Sequence, residues 1–225
     1  MRIILIPAHN EEKNIAEVIK RARKIKNSKI LVVDDGSSDS TAQIAKKSGA
    51  ILVRHDVNKG KAEAIKTGFK YILANFPNVE AAVLMDADMQ YAPEEATKLF
   101  EVLEKGKVDY VVGFRRPSQL PFANRAGNFI WRTLFNFLFG TRMKDTNCGF
   151  IALNRKTMEA MSDLIYGGYI LENAMLIQTV KKKLKVEQVL VNVRYGKRKV
   201  PKLARMFFGV FVFILIGGLK YRLNR

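Results

Sequence analysis

Along the first half of the chain, short uninterrupted apolar runs alternate with longer stretches of amphipathic periodicity. The runs IILI (3–6), KILVVDD (29–35), ILVRH (51–55), AAVLMDAD (81–88) and DYVVGF (109–114) read as strands. Between them, EEKNIAEVIKRARKI (11–25), DSTAQIAKKSG (39–49), KAEAIKTGFKYILANF (61–76) and PEEATKLFEVLEKG (93–106) read as helices; Gly49 and Gly106 close two of these, and Pro93 opens the last. Apolar strands separated by helices predict an α/β fold, with a mainly parallel sheet covered on both faces. In such sheets ligands gather outside the carboxyl ends of the strands. Polar clusters fall at those ends: PAHNEE, DDGSSDST, DVNKGKAEA, DADMQ and GFRR follow the five strands in turn. Any one cluster is explained by turn and helix-cap chemistry. Five at corresponding strand ends point to a bound ligand.

The second half is patterned differently. NFIWRTLFNFLFG (128–140) crowds Phe129, Trp131, Phe135, Phe137, Leu138 and Phe139 into one helical stretch, either a core helix or an interfacial helix with its aromatics at headgroup level. MFFGVFVFILIGGL (206–219) carries no charge, with Lys199, Lys202 and Arg205 before it and Lys220, Arg222 and Arg225 after it. A spanning helix needs about 20 apolar residues. The segment is therefore expected to lie in the interface, or to pack on the aromatic helix as a lipid-facing platform.

Composition sharpens this picture. The chain has 225 residues, 48% of them hydrophobic, enough for one ordinary domain with a small appendage. Lys and Arg number 39 against 21 Asp and Glu, a net charge of +18 that draws the protein to polyanions or anionic lipid. The cations cluster around apolar segments rather than interleaving with base-stacking aromatics, so a membrane surface is expected and nucleic acid is not. Cys148 is the single cysteine, which rules out an internal disulfide and suits a reducing compartment. The apolar run in MRIILIPAHNEE stops at Pro7, so it reads as a first strand rather than a signal peptide. These features predict the cytoplasmic face of a cell membrane.

The sharpest chemical signal is DADMQ. In an extended chain Asp86, Asp88 and Gln90 project to one side, about 6.5 to 7 Å apart. Desolvated carboxylates need a partner, and oxygen ligands in such a row suit Mg²⁺ or Mn²⁺ shared with substrate phosphates. A helix cap near Pro93 accounts for one acidic residue but not for two.

Taken in order, IPAHNEE, VVDDGSSDST, NKGKAEAIKTGF, MDADMQ, VVGFRR and DTNCGF resemble the inverting GT-A fold glycosyltransferases of family 2, in particular the dolichol-phosphate or polyprenyl-phosphate mannose and glucose synthases. The resemblance covers about residues 1–200. It implies a GT-A domain over 1–200, with a nucleotide-sugar half (1–115) and an acceptor half (116–200), followed by a membrane-associated segment at 201–225. It further implies that Pro7, His9, Glu11, Val33, Asp35 and Lys61 line the donor pocket, with carboxylates bonding ribose hydroxyls and a base N–H. Asp86, Ala87, Asp88 and Gln90 would hold the metal and the sugar diphosphate. Arg115, Arg125 and Arg198 would clamp phosphates of donor and acceptor, a task suited to arginine's planar fork. His9 stands where Tyr is common, and KRKVPK replaces an Arg-Gly-x-Ser-Lys type segment.

Family members that glycosylate a sugar hydroxyl commonly carry a Glu-Asp pair on the helix after the acceptor loop; this chain has Glu172 followed by Asn173. A hydroxyl nucleophile must lose a proton, whereas a phosphate oxygen is already anionic at neutral pH. The expected reaction is therefore metal-dependent, inverting transfer of a hexose, mannose first and glucose next, from a nucleoside diphosphate sugar to a polyprenyl or dolichyl phosphate. Glu172 is either a base or a residue that orders nearby cations. A sugar hydroxyl acceptor and a non-catalytic basic membrane-binding domain are the competing expectations, and a membrane-spanning partner protein is compatible with either.

Overall fold

In a computed structural model, residues 1–168, 170–194 and 203–223 are described, without the side chains of Ala123 and residues 203–207. Arg198, with Lys199, Lys202 and Arg225, lies outside the described residues.

The strands are β1 (Arg2–Ala8), β2 (Ser28–Asp34), β3 (Ile51–Arg54), β4 (Ala81–Leu84), β5 (Tyr110–Phe114), β6 (Ile151–Asn154) and β7 (Val186–Leu190). They form one sheet in the order β3-β2-β1-β4-β6-β5-β7. The first four run parallel, with Leu5 opposite both Leu31 and Leu84. β6 is antiparallel to β4 and β5, so β5 and β7 point the same way as the first four. Continuous burial of Ile3–Ile6, Leu31–Val33 and Ala81–Leu84 explains why these strands carry unbroken apolar runs: both faces of the sheet are covered. The covering helices are α1 (Ile15–Ala22), α2 (Thr41–Lys47), α3 (Lys61–Asn75), α4 (Ala96–Glu104), α6 (Arg155–Met161) and α7 (Leu171–Lys181). Their buried stripes, such as Ile15, Val18, Ile19 and Ala22 of α1, keep the helical spacing seen in the sequence.

One expectation is corrected here. β4 ends at Leu84, and the DADMQ segment is a turn rather than an extended chain, with Met89 left-handed at φ 61°. The cause is local: the Asp88 carboxylate accepts the backbone N–H of Gln90 at 3.0 Å, the Asx-turn arrangement that pulls a chain out of a strand. The two-residue alternation therefore does not set the directions of Asp86, Asp88 and Gln90.

α5 (Phe122–Phe139) and α8 (Leu203–Leu223) form the remaining layer. The core reading of α5 holds for one face, and the other face carries exposed aromatics. Trp131, Phe135, Leu138 and Phe139 are buried, whereas Phe122, Phe129 and Phe137 are 77%, 58% and 68% exposed. α8 packs along α5: a Cβ on Gly218 would lie 2.5 Å from Leu138 Cβ, Phe139 and Tyr221 meet at 5.3 Å between centroids, and Arg222 donates to the carbonyl of Leu138 at 3.0 Å. Among the described residues, no helix is long and apolar enough to cross a membrane.

Candidate active site

The carboxyl ends of β1, β2 and β4 open into a cleft of about 290 Å³ lined by Pro7, Ala8, His9, Glu11, Asp35, Asn58, Gly60, Lys61, Ala64, Asp86, Ala87 and Asp88. Eight of the residues expected at the donor site share this one wall: Pro7, His9, Glu11, Asp35, Lys61, Asp86, Ala87 and Asp88. Val33 is buried within β2 and is not part of it. Nor does Gln90 line it; its side-chain amide donates to Asp88 at 2.8 Å and orients that carboxylate.

Asp35 organises the upper wall. Its carboxylate accepts from His55 Nδ1 at 2.7 Å and from the backbone N–H groups of Lys59 and Gly60 at 2.9 and 2.8 Å, and so anchors the loop that starts α3. Burial opposes the charge, but these hydrogen bonds outweigh it and hold the Asp35 pKa below the usual aspartate value. Gly36, at φ +66°, passes so close to the same loop that a Cβ would lie 2.4 Å from the carbonyl carbon of Val57, so only glycine fits. His9 Nδ1 sits 2.9 Å from the Asp35 carbonyl oxygen, which fixes the ring at the cleft.

The floor is a cluster of three charges from three elements. Lys61 Nζ at the start of α3 lies 2.7 Å from Asp86 Oδ1 and 3.2 Å from Glu172 Oε1 on α7. Burial pushes the lysine's pKa down, but the two carboxylates more than reverse this, so Lys61 stays protonated. Gly149 closes the cluster from a fourth direction: a Cβ there would meet Asp86 Oδ2, Lys61 Nζ and Glu172 Oε1 at 3.1 to 3.2 Å. Sequence reading singled out DTNCGF as a motif but not Gly149 as a wall of the site, nor Asn58 and His55. Gly149 and Asn58 each lay within a quoted motif, DTNCGF and NKGKAEA, whereas nothing in the sequence singled out His55.

Arg115 does not join the cleft lining. It forms a paired contact with buried Asp145, Nε to Oδ2 at 2.6 Å and Nη2 to Oδ1 at 2.9 Å, and also donates to the carbonyl of Asn147. It thereby ties the end of β5 to the 145–149 loop, and Asp145 holds its pKa well above the usual value despite burial. Asn173 is buried and donates to Asn147 Oδ1, so the position after Glu172 is also given to holding that loop. Buried Cys148, pushed up to about 11 by its apolar surroundings, donates to Tyr91, which stacks on Phe150. Tyr91 also bridges to Val193, and Arg194 N–H donates to the Gln90 carbonyl at 2.8 Å, so the DADMQ turn is strapped on two sides.

Arg125 lines a second hollow of about 340 Å³ on α5, with Phe122, Asn128, Phe129, Arg132 and Lys144. Three cations and two exposed aromatics here face a groove with an apolar lip. The five residues 145–149 connect it to the cleft: Lys144 lies in the hollow, and Gly149 lies against Lys61.

A family model described as "Glycosyl transferase family 2" matches residues 3–161. The chain belongs to glycosyl transferase family 2. This family 2 glycosyltransferase is 34% identical over 211 residues to an uncharacterized protein of Methanocaldococcus jannaschii, spanning 88% of this chain and 90% of that protein. It is 27% identical over 240 residues to the UDP-N-acetylglucosamine--dolichyl-phosphate N-acetylglucosaminyltransferase of Methanococcus voltae, spanning 96% and 95%. Its fold matches the glucosyl-3-phosphoglycerate synthase of Mycobacterium tuberculosis, solved with Mn²⁺, uridine diphosphate and phosphoglyceric acid, at a TM-score of 0.79 and 23% identity, covering 97% of this chain and 78% of that one. The α/β, mainly parallel GT-A architecture is thus established, and the enzyme is a glycosyltransferase.

Proposed function

We propose that the enzyme transfers a hexose, with inversion, from a nucleoside diphosphate sugar in the cleft to a polyprenyl phosphate approaching from a membrane surface on its cytosolic side. The observation that carries this reading is the convergence of Asp86, Asp88 and Lys61 on one wall of a cleft at the strand ends. The relatives support the acceptor: one is named for dolichyl phosphate, others for undecaprenyl phosphate.

The donor set fits a divalent cation. Asp86 and Asp88 offer hard oxygens that would hold the cation, with water and diphosphate oxygens as the other ligands such an ion takes. When bound, it would stabilise charge on the departing diphosphate. Lys61 supplies a fixed positive charge beside that group, Gln90 holds Asp88 in place, and Gly149 leaves room for the Asp86–Lys61–Glu172 cluster. Arg125, Arg132 and Lys144 attract the acceptor phosphate, with Phe122 and Phe129 against its lipid.

Glu172 is ion-paired with Lys61, which supports an ordering role rather than that of a base. Asn173 removes the second carboxylate that a hydroxyl acceptor would want. Glu172→Gln tests this: we expect transfer to dolichyl phosphate to fall less than about tenfold, as for loss of one ion-pair contact. Near-total loss with donor binding intact would establish a base and favour a sugar hydroxyl acceptor.

A further inference from the structure

The ammonium at the floor of the cleft bears on how a metal would enter it. Lys61 Nζ is 2.7 Å from Asp86 Oδ1, so one oxygen of a carboxylate suited to a divalent cation already carries a full positive charge. The same Nζ is 3.2 Å from Glu172 Oε1, which holds it in place from α7. Among the described residues lining this cleft, Lys61 is the one lysine or arginine, against Glu11, Asp35, Asp86 and Asp88. Asp88 is engaged differently: both its oxygens accept from Gln90, through the backbone N–H at 3.0 Å and the side-chain amide at 2.8 Å. A neutral amide shares a carboxylate with a metal without penalty, whereas an ammonium and a divalent cation on one carboxylate repel each other. With 32% of the Lys61 side chain and 28% of the Asp86 side chain exposed, water screens that repulsion incompletely.

We propose that Lys61 keeps the free protein from holding a divalent cation, so that the metal is retained only together with the diphosphate of the donor. The diphosphate supplies the negative charge that the pair of cations lacks. Its several oxygens are shared between the ammonium and the metal, which turns a repulsion between two cations into attraction of both to one anion. Lys61 is in this respect a positioning residue that makes metal and nucleotide binding cooperative, and by linkage each tightens the other by the same factor. A lysine that merely gripped the diphosphate would weaken nucleotide binding when removed and leave the metal affinity of the free chain unchanged. The inference rests on the cleft being the donor site, and it adds the order of events there: no metal is stored in the free cleft.

Mn²⁺ binding to the full chain without nucleotide, read from the loss of the free-ion signal in electron paramagnetic resonance, tests it. We expect Lys61→Met to bind Mn²⁺ at least about tenfold more tightly than wild type, within the usual range of coupling between two sites, and Lys61→Arg, which keeps the charge, to bind as weakly as wild type. Lys61→Gln keeps an N–H for the carboxylates but no charge; it should behave as Lys61→Met and replaces it if circular dichroism shows the methionine variant unfolded. Adding UDP or GDP, whichever binds, should tighten Mn²⁺ binding to wild type by at least about tenfold. Unchanged or weaker Mn²⁺ binding by the folded neutral variants overturns the inference. So does a wild-type chain that holds Mn²⁺ equally well with and without the nucleotide, a result that needs no variant. Both outcomes leave the donor site standing, whereas failure of either nucleotide to bind, with or without Mn²⁺, overturns the donor-site reading itself.

Discussion

The two ends of the sheet carry very different hollows. At the amino end, where β1, β2 and β4 begin, a hollow of about 1040 Å³ is bounded by Arg2, Lys29, Glu80, Glu104 and Asp109. The carboxyl-end cleft is less than a third of that volume, at about 290 Å³. Charged groups at the amino end pair off separately: the Met1 amine with Glu80 at 2.8 Å, Arg2 with Glu104, and Asp109 with the Lys185 backbone N–H at 3.0 Å. At the carboxyl end, carboxylates from two elements meet on one lysine, and Gly149 packs against all three. Volume is thus a poor guide to the site, whereas convergence of charge that local pairing does not require is a good one.

The comparison breaks most sharply at Asp88. Asp88→Ala should reduce transfer by at least about a hundredfold, the scale of removing a group that stabilises transition-state charge, and labelled product formation measures it. Lys61→Met should come next, weakening donor binding by about tenfold because Asp86 and Glu172 are left without their shared cation; calorimetry with UDP reads this. At the lip of α5, Phe122→Ser combined with Phe129→Ser should abolish sedimentation with anionic vesicles while shifting stability by no more than about 0.5 kcal/mol per site, since both rings are exposed. Smallest of all, Arg2→Ala at the amino end should leave transfer unchanged and cost at most about 1 kcal/mol in denaturant unfolding, as expected of a partly exposed ion pair.

A pH scan sharpens the same contrast. The folded-state pKa of Asp35 lies below its ordinary value, so the unfolded chain binds the proton more readily. The stabilisation from Asp35 is therefore fully present above its ordinary pKa and is lost as pH falls through the lower, folded value. The difference in Tm between wild type and Asp35→Asn should be constant near neutrality and shrink only below about pH 4.

Much of this was legible in the sequence, for identifiable reasons. The parallel strands β1, β2 and β4 are uninterrupted apolar runs because helices cover both faces, and the polar residues that follow β1 to β4 include those that line the cleft, whereas Arg115 after β5 ties down the 145–149 loop. The strand-end rule located the polar clusters, and the family resemblance named eight of the cleft residues within them. The turn at DADMQ was not legible, since Asp88 bonds forward to Gln90 through a side-chain contact that has no periodicity. Strand β6 is four residues long and enters antiparallel between β4 and β5, a topology fixed by long-range pairing alone. The pairing of Arg115 with Asp145 was not legible, because the partner lies 30 residues away in the sequence. His55 escaped notice for the same reason: its significance comes from Asp35 and Thr67, which only the fold brings to its two ring nitrogens.

The central claim is that a sugar leaves a nucleoside diphosphate in the carboxyl-end cleft for a phosphate oxygen on a lipid. The direct measurement is incubation of the protein with vesicles containing dolichyl phosphate, Mn²⁺ and radiolabelled UDP-glucose, UDP-N-acetylglucosamine or GDP-mannose, followed by extraction of the lipid. The account predicts label in a mild-acid-labile lipid phosphate sugar from one of these donors, lost on chelation of the metal. Label that stays in water as free sugar, or that reaches only a glycolipid hydroxyl while dolichyl phosphate remains unmodified, would contradict it.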